Sequence, residues 1–298
     1  MTLKNLAAAS AMMLLALSCS AQDKDNGNGT TTPSIPSTKA FATAISKNMS
    51  TRTAPVEVYI NLNDKSLQSV SLDRKNGVVY TMTNQNDFLK VYGLDKEFRE
   101  KVLKPHTGHN NDACVVGDNM WIIGTEDYAD PQLWLYGLKT NKAERVDVSI
   151  LDGAGTKSGY SAVCEYDASN LLLVGITGTG TDRPTDKLRV YKYNKGTKKL
   201  TQWFELSWHG VFVQGATYVN GMLYIATNIS EEKIHDGASV WVVDVKNQKL
   251  LDEMVILFDG EAEGLDYNIE DGKTWLYMGL GSPAGKFAYV GRFKSLYQ

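Results

Sequence analysis

Five stretches of the chain share one kind of sequence, and together they decide the fold. They are VVYTMT (78–83), MWIIGT (120–125), LLLVGIT (171–177), MLYIAT (222–227) and TWLYMGL (274–280). Each is a short run of β-branched, aliphatic and aromatic residues bounded by turn residues, which is typical of a β-strand. Because the five stretches resemble one another, the sequence indicates a structural repeat.

Each stretch lies within a larger unit of strands. A turn rich in Asn, Asp and Gly precedes it, as at Asn76-Gly77 and Asn220-Gly221, and such pairs favour the positive φ of tight hairpins. A third strand follows in every unit: FLKVYGLD (88–95), QLWLYGLK (132–139), LRVYKYN (188–194), SVWVVDVK (239–246) and KFAYVGRFK (286–294). The first four units add a fourth strand. Four strands in about 45 to 50 residues is the spacing of a β-propeller blade.

The fifth unit ends with the chain at Gln298 after three strands, whereas an orphan strand at 56–62 precedes the first unit. We therefore predict an all-β fold, a five-bladed β-propeller whose ring is closed when strand 56–62 joins the last blade. This arrangement leaves neither terminal strand as an open edge. The blades are expected to start near 66, 110, 159, 212 and 261 within a single domain, 55–298. The alternative is a β-sandwich with irregular loops.

The innermost strands align on a polar residue followed by a small one. The polar residues are Gln68, Asp112, Ser161, Gln214 and Glu263, spaced 44, 49, 53 and 49 residues apart. The first strand of each blade lines the central channel of a propeller, and small residues are needed where the blades converge. One polar group per blade predicts a convergent polar site, the kind of place that holds a ligand, a metal or water.

Loop lengths indicate which end of the channel is functional. The longer connections lie between strands two and three and between blades, on one face that we call the mouth, and function tends to reside on such loops. All four histidines, His106, His109, His209 and His235, fall on this face. The alternative for each is a solvated loop residue, which we favour for His235.

Two segments that enter the mouth, 105–112 and 207–215, contain more imidazole, amide, carboxylate and aromatic side chains than a connecting loop requires. In the second, Trp208 and Phe212 either form an apolar platform for a sugar or wedge between blades. The predicted ligand-binding residues are Gln68, Asn110, Asn111, Asp112, Tyr160, Ser161, Trp208, His209, Gln214, Glu261 and Glu263.

Hydrolysis at the same mouth is the alternative to binding. Asp112 and Glu263 would form the acid and base pair, with His109 or His209 orienting a water molecule. Five-bladed furanosidase-type glycoside hydrolases are similar, but they place three carboxylates on inner strands where this chain has Gln68, Ser161 and Gln214. A resemblance to lactonase-like propellers, which have six blades, rests on Glu263 and on 110–112. It implies a Ca²⁺ site at Asn111, Asp112 and Glu263, and no other cofactor is expected.

The first residues read as an export signal, with Lys4 before a short apolar run, Leu6–Leu17, and then Ser18-Cys19. Leu15–Cys19 resembles a bacterial lipobox, which would make Cys19 the lipidated first residue; ordinary signal peptidase cleavage is the alternative. We predict a signal peptide over 1–18 and a flexible tether over 19–54, with a short helix over 39–49.

The charge of the chain and its two remaining cysteines bear on nucleic-acid binding and on disulfide formation. Lys and Arg number 31 against 34 Asp and Glu, so the chain has no basic field for nucleic acid. Cys114 and Cys164 lie on inner strands of neighbouring blades, where buried free thiols are favoured over a disulfide. Asp23 and Asp25 behind Cys19 resemble the surface-export signals of Bacteroidetes lipoproteins.

The whole folded region, residues 56–298, thus resembles a five-bladed propeller lipoprotein of Bacteroidetes type. The resemblance implies a monomer in the cell envelope, lipid-anchored at the outer membrane on its surface or periplasmic side, that touches the membrane through the lipid only. The leading hypothesis is a module that binds a small polar ligand, a glycan, at the mouth. A hydrolase is the second hypothesis, and a scaffold for a protein partner is the third.

Overall fold

The computed structural model describes residues 50–62, 67–83, 87–125, 131–148, 160–177, 187–208, 212–228, 238–256, 258, 260–281 and 288–298. Its 21 strands form five sheets, and each sheet is one blade of a β-propeller. The predicted fold is confirmed. No helix in these ranges is long and apolar enough to cross a membrane.

In each blade, four strands run from the axis outward and pair antiparallel with their neighbours. Blade 1 comprises β3 (Ser69–Asp73), β4 (Val78–Met82), β5 (Phe88–Gly93) and β6 (Phe98–Leu103). Blade 2 comprises β7 (His109–Val116), β8 (Asn119–Thr125), β9 (Gln132–Gly137) and β10 (Lys142–Val146). Blade 3 comprises β11 (Ala162–Glu165), β12 (Asn170–Thr177), β13 (Lys187–Asn194) and β14 (Lys199–Ser207).

The last two blades also take strands from the start of the domain. Blade 4 comprises β15 (Val213–Val219), β16 (Met222–Asn228), β17 (Ala238–Asp244), β18 (Lys249–Ile256) and β1 (Ser50–Ala54). Blade 5 comprises β19 (Glu261–Glu270), β20 (Lys273–Gly281), β21 (Ala288–Lys294) and β2 (Glu57–Leu62).

Ring closure depends on β2, which pairs antiparallel with β21 as predicted. The side chain of Arg292 on β21 reaches across to Glu57, with Nε 3.1 Å from Oε2. The hydroxyl of Tyr59 donates to the carbonyl of Leu94, so β2 also ties blade 5 to blade 1. Strands from both ends of the domain therefore hold the last blade together.

β1 differs from the sequence analysis, which placed 50–54 in the tether. It pairs parallel with β18, from Ser50 opposite Asp252 to Ala54 opposite Ile256. Its sequence, STRTA, is polar and lacks the alternation of a half-buried strand, so only its long-range pairing identifies it. The predicted tether therefore ends before residue 50. Residues 1–49, including the predicted signal peptide, Cys19 and the predicted helix, lie outside the described residues.

The hydrophobic core consists of five clusters, and each fills the space between two neighbouring blades. The cluster between blades 3 and 4, for example, packs Trp208 against Trp241 with ring centroids 4.7 Å apart. Because a single blade cannot bury its own faces, each blade depends on both neighbours.

At the axis, the inner strands β3, β7, β11, β15 and β19 contact one another in a closed ring. A Cβ at Gly215 would lie 2.5 Å from the amide nitrogen of Leu265, and one at Gly264 would lie 2.5 Å from that of Val70. The prediction that small residues are needed at the axis is thereby explained by backbone contact between blades 4, 5 and 1.

We predict that Gly264→Ala destabilises the protein far more than Gly221→Ala. Both glycines have positive φ, +81° and +82°, but a Cβ at Gly221 meets nothing within 4 Å. Gly221→Ala should lower the free energy of unfolding by about 1 to 2 kcal/mol, the cost of the left-handed backbone alone. Gly264→Ala adds a clash with backbone, so we expect a loss of at least about 3 kcal/mol. Denaturant unfolding of both variants measures the difference, and equal losses would contradict close packing at the axis.

Candidate functional site

β-Bulges mark the mouth ends of three inner strands. The register shifts between Asn110 and Asp112 in β7, between Val213 and Gly215 in β15, and between Ala262 and Leu265 in β19. The residues left over are Asn111, Gln214 and the pair Glu263-Gly264. A bulge redirects side chains without ending the strand, and bulges are common next to functional sites.

Two carboxylates at the mouth are held by side-chain amides. Oε1 of Glu261 accepts hydrogen bonds from Nε2 of Gln214 at 2.7 Å and from Nδ2 of Asn228 at 3.0 Å. Oε1 of Glu263 accepts one from Nε2 of Gln68 at 3.2 Å. The structure thus pairs four of the predicted ligand-binding residues, Gln214 with Glu261 and Gln68 with Glu263, and adds Asn228 to the first pair.

Glu261 is perturbed by its surroundings. Burial raises its pKa above the ordinary glutamate value, although the amides of Asn228 and Gln214 act in the opposite direction. Asn228 is fixed in turn, since its Oδ1 accepts the backbone N–H of Ala262 at 3.2 Å. Asn228 was not predicted because its signal is weak: it is the polar last residue of a mostly apolar second strand.

Asp112 lies at the axis, deeper than the mouth. Its side chain is fully buried, and its Oδ2 accepts the backbone N–H groups of Val163 at 3.0 Å and Ala216 at 3.1 Å. Asp112 therefore ties the inner strand of blade 2 to those of blades 3 and 4. The structure thus gives Asp112 an anchoring position between blades 2, 3 and 4.

Asp266 is a second carboxylate of this kind, on β19. Its Oδ2 accepts the backbone N–H of Leu72 at 2.7 Å, and its Oδ1 is 2.8 Å from a guanidinium nitrogen of Arg74. Arg74 also stacks over the ring of Tyr267, 4.2 Å from the centroid. The sequence analysis missed this pair; an acidic residue within an apolar inner strand was the available signal.

The connection from blade 1 to blade 2 carries a buried lysine. Nζ of Lys104 donates to Oγ1 of Thr107 at 2.9 Å, and that hydroxyl donates to Oδ1 of Asn110. Burial lowers the pKa of Lys104 to about 8, with a smaller opposing effect from Asp87. Asn110 is thereby occupied in holding this connection, although its Nδ2 has no partner among the described residues.

The two described histidines differ in their surroundings. His109 begins β7 and is partly buried, and burial lowers its pKa. His106 is exposed, with Nδ1 2.8 Å from Oδ1 of Asp87. His209 and His235 lie outside the described residues.

Two predicted ligand-binding aromatics are packing residues instead. Trp208 is 1% exposed and belongs to the cluster between blades 3 and 4, so the wedge alternative holds for it. Tyr160 is buried in the cluster between blades 2 and 3, and its hydroxyl donates to the carbonyl of Pro131 at 3.2 Å. Ser161 and Phe212 are partly buried. Cys114 and Cys164 are buried free thiols, and burial raises the pKa of each well above its ordinary value.

The Ca²⁺ site at Asn111, Asp112 and Glu263 stays a prediction. Oδ2 of Asp112 and Oε1 of Glu263 accept hydrogen bonds from N–H donors, whereas Oδ1 of Asp112 is buried without a hydrogen-bond partner among the described residues. No group of three or more His, Cys, Asp or Glu side chains suited to a metal occurs in the part of the chain that the structure describes. We derive no step through calcium.

We predict that Asp112→Asn changes how stability depends on pH. Burial raises the pKa of Asp112 well above its ordinary value, so the folded state holds the proton more tightly than the unfolded state, whose pKa is about 4. The stability that this carboxyl contributes is therefore complete below about pH 4 and is lost as the pH rises through the folded-state pKa. Asn keeps one acceptor oxygen and carries no charge.

The free energy of unfolding of the parent should accordingly fall, relative to Asp112→Asn, by more than about 1.4 kcal/mol between about pH 4 and pH 8. Denaturant unfolding at several pH values measures this, with the exposed Asp271→Asn as the control. A difference that stays constant across this range would show that Asp112 titrates normally.

Comparison with known proteins supports the fold and does not extend to a family. No family model matches the chain, and no curated protein matches it. Among solved structures, a luciferin-regenerating enzyme superposes with a TM-score of 0.50 at 10% identity, covering 81% of this chain and 95% of that one. Hydrazine synthase of Kuenenia stuttgartiensis matches with a TM-score of 0.44 at 8% identity, covering 74% of this chain.

This chain spans 58% of the length of that hydrazine synthase chain. In all, 962 solved chains match, so the resemblance describes a widely used architecture and does not select an activity. The chain is a five-bladed β-propeller.

Proposed function

We propose that this chain is an exported, lipid-anchored propeller that binds a small polar ligand, a glycan, at the mouth. The observation that carries the proposal is the triad Gln214, Glu261 and Asn228. Gln68, directly before the inner strand of blade 1, and Glu263, on that of blade 5, form a second amide–carboxylate pair. A carboxylate held by two amides offers fixed acceptors and donors for ligand hydroxyl groups.

The depth of Asp112 favours binding over hydrolysis. Acid and base catalysis needs two groups within reach of the scissile bond, and Asp112 is fully buried with one oxygen bound to two backbone amides. A hydrolase at this mouth would have to use Glu261 and Glu263. Glu261 has the raised pKa that a general acid requires, so turnover must be measured beside binding.

We predict that Glu261→Gln weakens glycan binding at least about tenfold, because a hydrogen bond to a charged group contributes about 1.5 to 3 kcal/mol. Calorimetric titration of the purified chain against a panel of neutral mono- and oligosaccharides identifies the ligand and then compares variants. Glu144→Gln, on the exposed face of β10, is the matched control and should bind as the parent does.

Three outcomes are decisive in this experiment. Binding to no member of the panel, or equal binding by Glu261→Gln, would contradict the proposal. Release of new reducing ends by the parent, lost in both Glu261→Gln and Glu263→Gln, would make the chain a hydrolase.

The anchor is tested separately. We predict that Cys19→Ser moves the chain from the membrane fraction to the soluble fraction and abolishes incorporation of labelled fatty acid, because lipidation requires that thiol. Ser20→Ala, at the next residue, is the control and should remain lipidated. A soluble, unlabelled parent would instead indicate ordinary signal peptidase cleavage.

A further inference from the structure

A groove of 330 Å³ opens on blade 3, at the short turns on the face opposite the mouth. Trp203 lines it together with polar side chains of β13, β14 and the turn between them, among them Lys192, Lys199, Thr201 and Gln202. The volume is at the lower end of the range for small-molecule sites, about 300 to 1,000 Å³. None of these residues takes part in the mouth.

Trp203 reaches the groove because β14 is bulged. Val190 pairs with Phe204 and Tyr191 pairs with Gln202, which leaves Trp203 as the extra residue. Its ring is partly buried against the edge of Tyr166, with centroids 5.2 Å apart. The bulge thus fixes an indole at the groove wall, and partial burial keeps its rotamer defined.

The turn beside the indole is rigid. Oδ1 of Asn194 accepts the backbone N–H groups of Gly196 at 3.1 Å and Thr197 at 2.8 Å, and its Nδ2 donates to Oδ1 of Asn170 at 3.1 Å. The polar side chains of the groove are therefore presented on a hairpin that is ordered before any ligand arrives, which reduces the entropic cost of binding.

The groove is also electropositive. Lysines stand at 192, 195, 198 and 199, with no acidic residue between them. Nζ of Lys192 lies 3.7 Å from the ring centroid of Trp203 and 4.7 Å from that of Tyr166. Lys192, Lys198 and Lys199 form no ion pair with a described carboxylate, although Asp167 lies close enough to Lys192 for the two charges to interact.

We propose that this groove binds an acidic saccharide, one that carries carboxylate or sulfate groups. The exposed part of the Trp203 ring, away from Lys192, offers an apolar surface to the C–H face of a sugar ring. Thr201 and Gln202 offer hydrogen bonds to hydroxyl groups, and Lys192 and Lys199 offer cations to the acidic groups. A membrane surface fits less well, since the large exposed hydrophobic residues among those described, Val58, Phe98, Leu103 and Ile269, all lie off blade 3.

The experiment is calorimetric titration of the purified chain with tetragalacturonate, with its fully methyl-esterified form and with a heparin-derived tetrasaccharide. The first and third carry carboxylates and sulfates, and the ester matches the first without its charge. We expect at least one acidic tetrasaccharide to bind, and binding of tetragalacturonate to weaken about tenfold on esterification because several ion pairs are lost.

Variants locate the binding. Lys199→Gln should weaken it about threefold to fivefold, whereas Lys249→Gln should leave it unchanged. Lys249 is the matched control, because it opens β18 opposite Asp244 as Lys199 opens β14 opposite Asn194. Trp203→Ala should weaken the affinity further, with Trp203→Phe restoring part of it. Glu261→Gln, at the mouth, should have no effect, which separates this site from the proposed glycan site.

The proposal is overturned if neither acidic tetrasaccharide binds, if the ester binds as tightly as the acid, or if Lys199→Gln and Lys249→Gln behave alike. Tighter binding to a single-stranded oligonucleotide or to vesicles containing phosphatidylglycerol, weakened by Lys199→Gln, would also overturn it, because the groove would then recognise phosphate and not a saccharide.

Discussion

The ring depends on how the backbone N–H groups of the inner strands find hydrogen-bond acceptors at the axis. Each inner strand has a neighbour on one side only, so N–H groups on its other edge point toward the axis with no strand to accept them. Asp112 accepts two of these groups, from Val163 and Ala216, and Asp266 accepts that of Leu72. These carboxylates bond inner strands of different blades to one another, where Gly215 and Gly264 leave room only for backbone.

The outermost strand of each blade also has unpaired backbone groups, and these edges are protected in other ways. Blade 5 ends in β2 and blade 4 is extended by β1, so strands from the start of the domain cover or complete two edges. Blades 1 and 2 instead end in the exposed strands FREKVL and KAERV, whose alternating charges disfavour pairing with another chain. A fold with five separate sheets can thus remain a single closed unit.

The blades could be predicted because their signals are local: a hairpin turn, an alternating strand and a repeat of both. The site was harder to predict, because a β-bulge shifts side chains by one position and no local sequence pattern indicates a bulge. The alignment of Gln68 with Asp112 assumed unbroken strands, whereas pairing places Ser69 opposite Met82 and Asp112 opposite Ile123. Asn111 is therefore the extra residue of the bulge, and Asp112 lies further along β7 from the mouth.

The structural roles of Asp112 and Asp266 were not predicted for a related reason. A carboxylate on an inner strand predicts a polar partner, and the sequence analysis assumed that this partner was a ligand. Inside a closed ring the partner can equally be the backbone of another blade, 51 or 104 residues away for Asp112, and such contacts leave no trace in the sequence.

The buried groups at the axis separate the two faces of the ring. Asp112 and Asp266 are buried between the two ends of the ring, and Arg74 bridges Asp266 to the ring of Tyr267 on the short-turn side, so each face must recognise its ligands on its own. The two proposed sites differ in charge: Glu261 and Glu263 lie at the mouth, whereas the hairpin of blade 3 carries Lys192, Lys195, Lys198 and Lys199. An acidic saccharide would be repelled by the carboxylates of the mouth and attracted by the groove, whereas an uncharged one has no charge to pair with the lysines. If both proposals hold, the two ends of the ring select different glycans without any change in the shape of the blades.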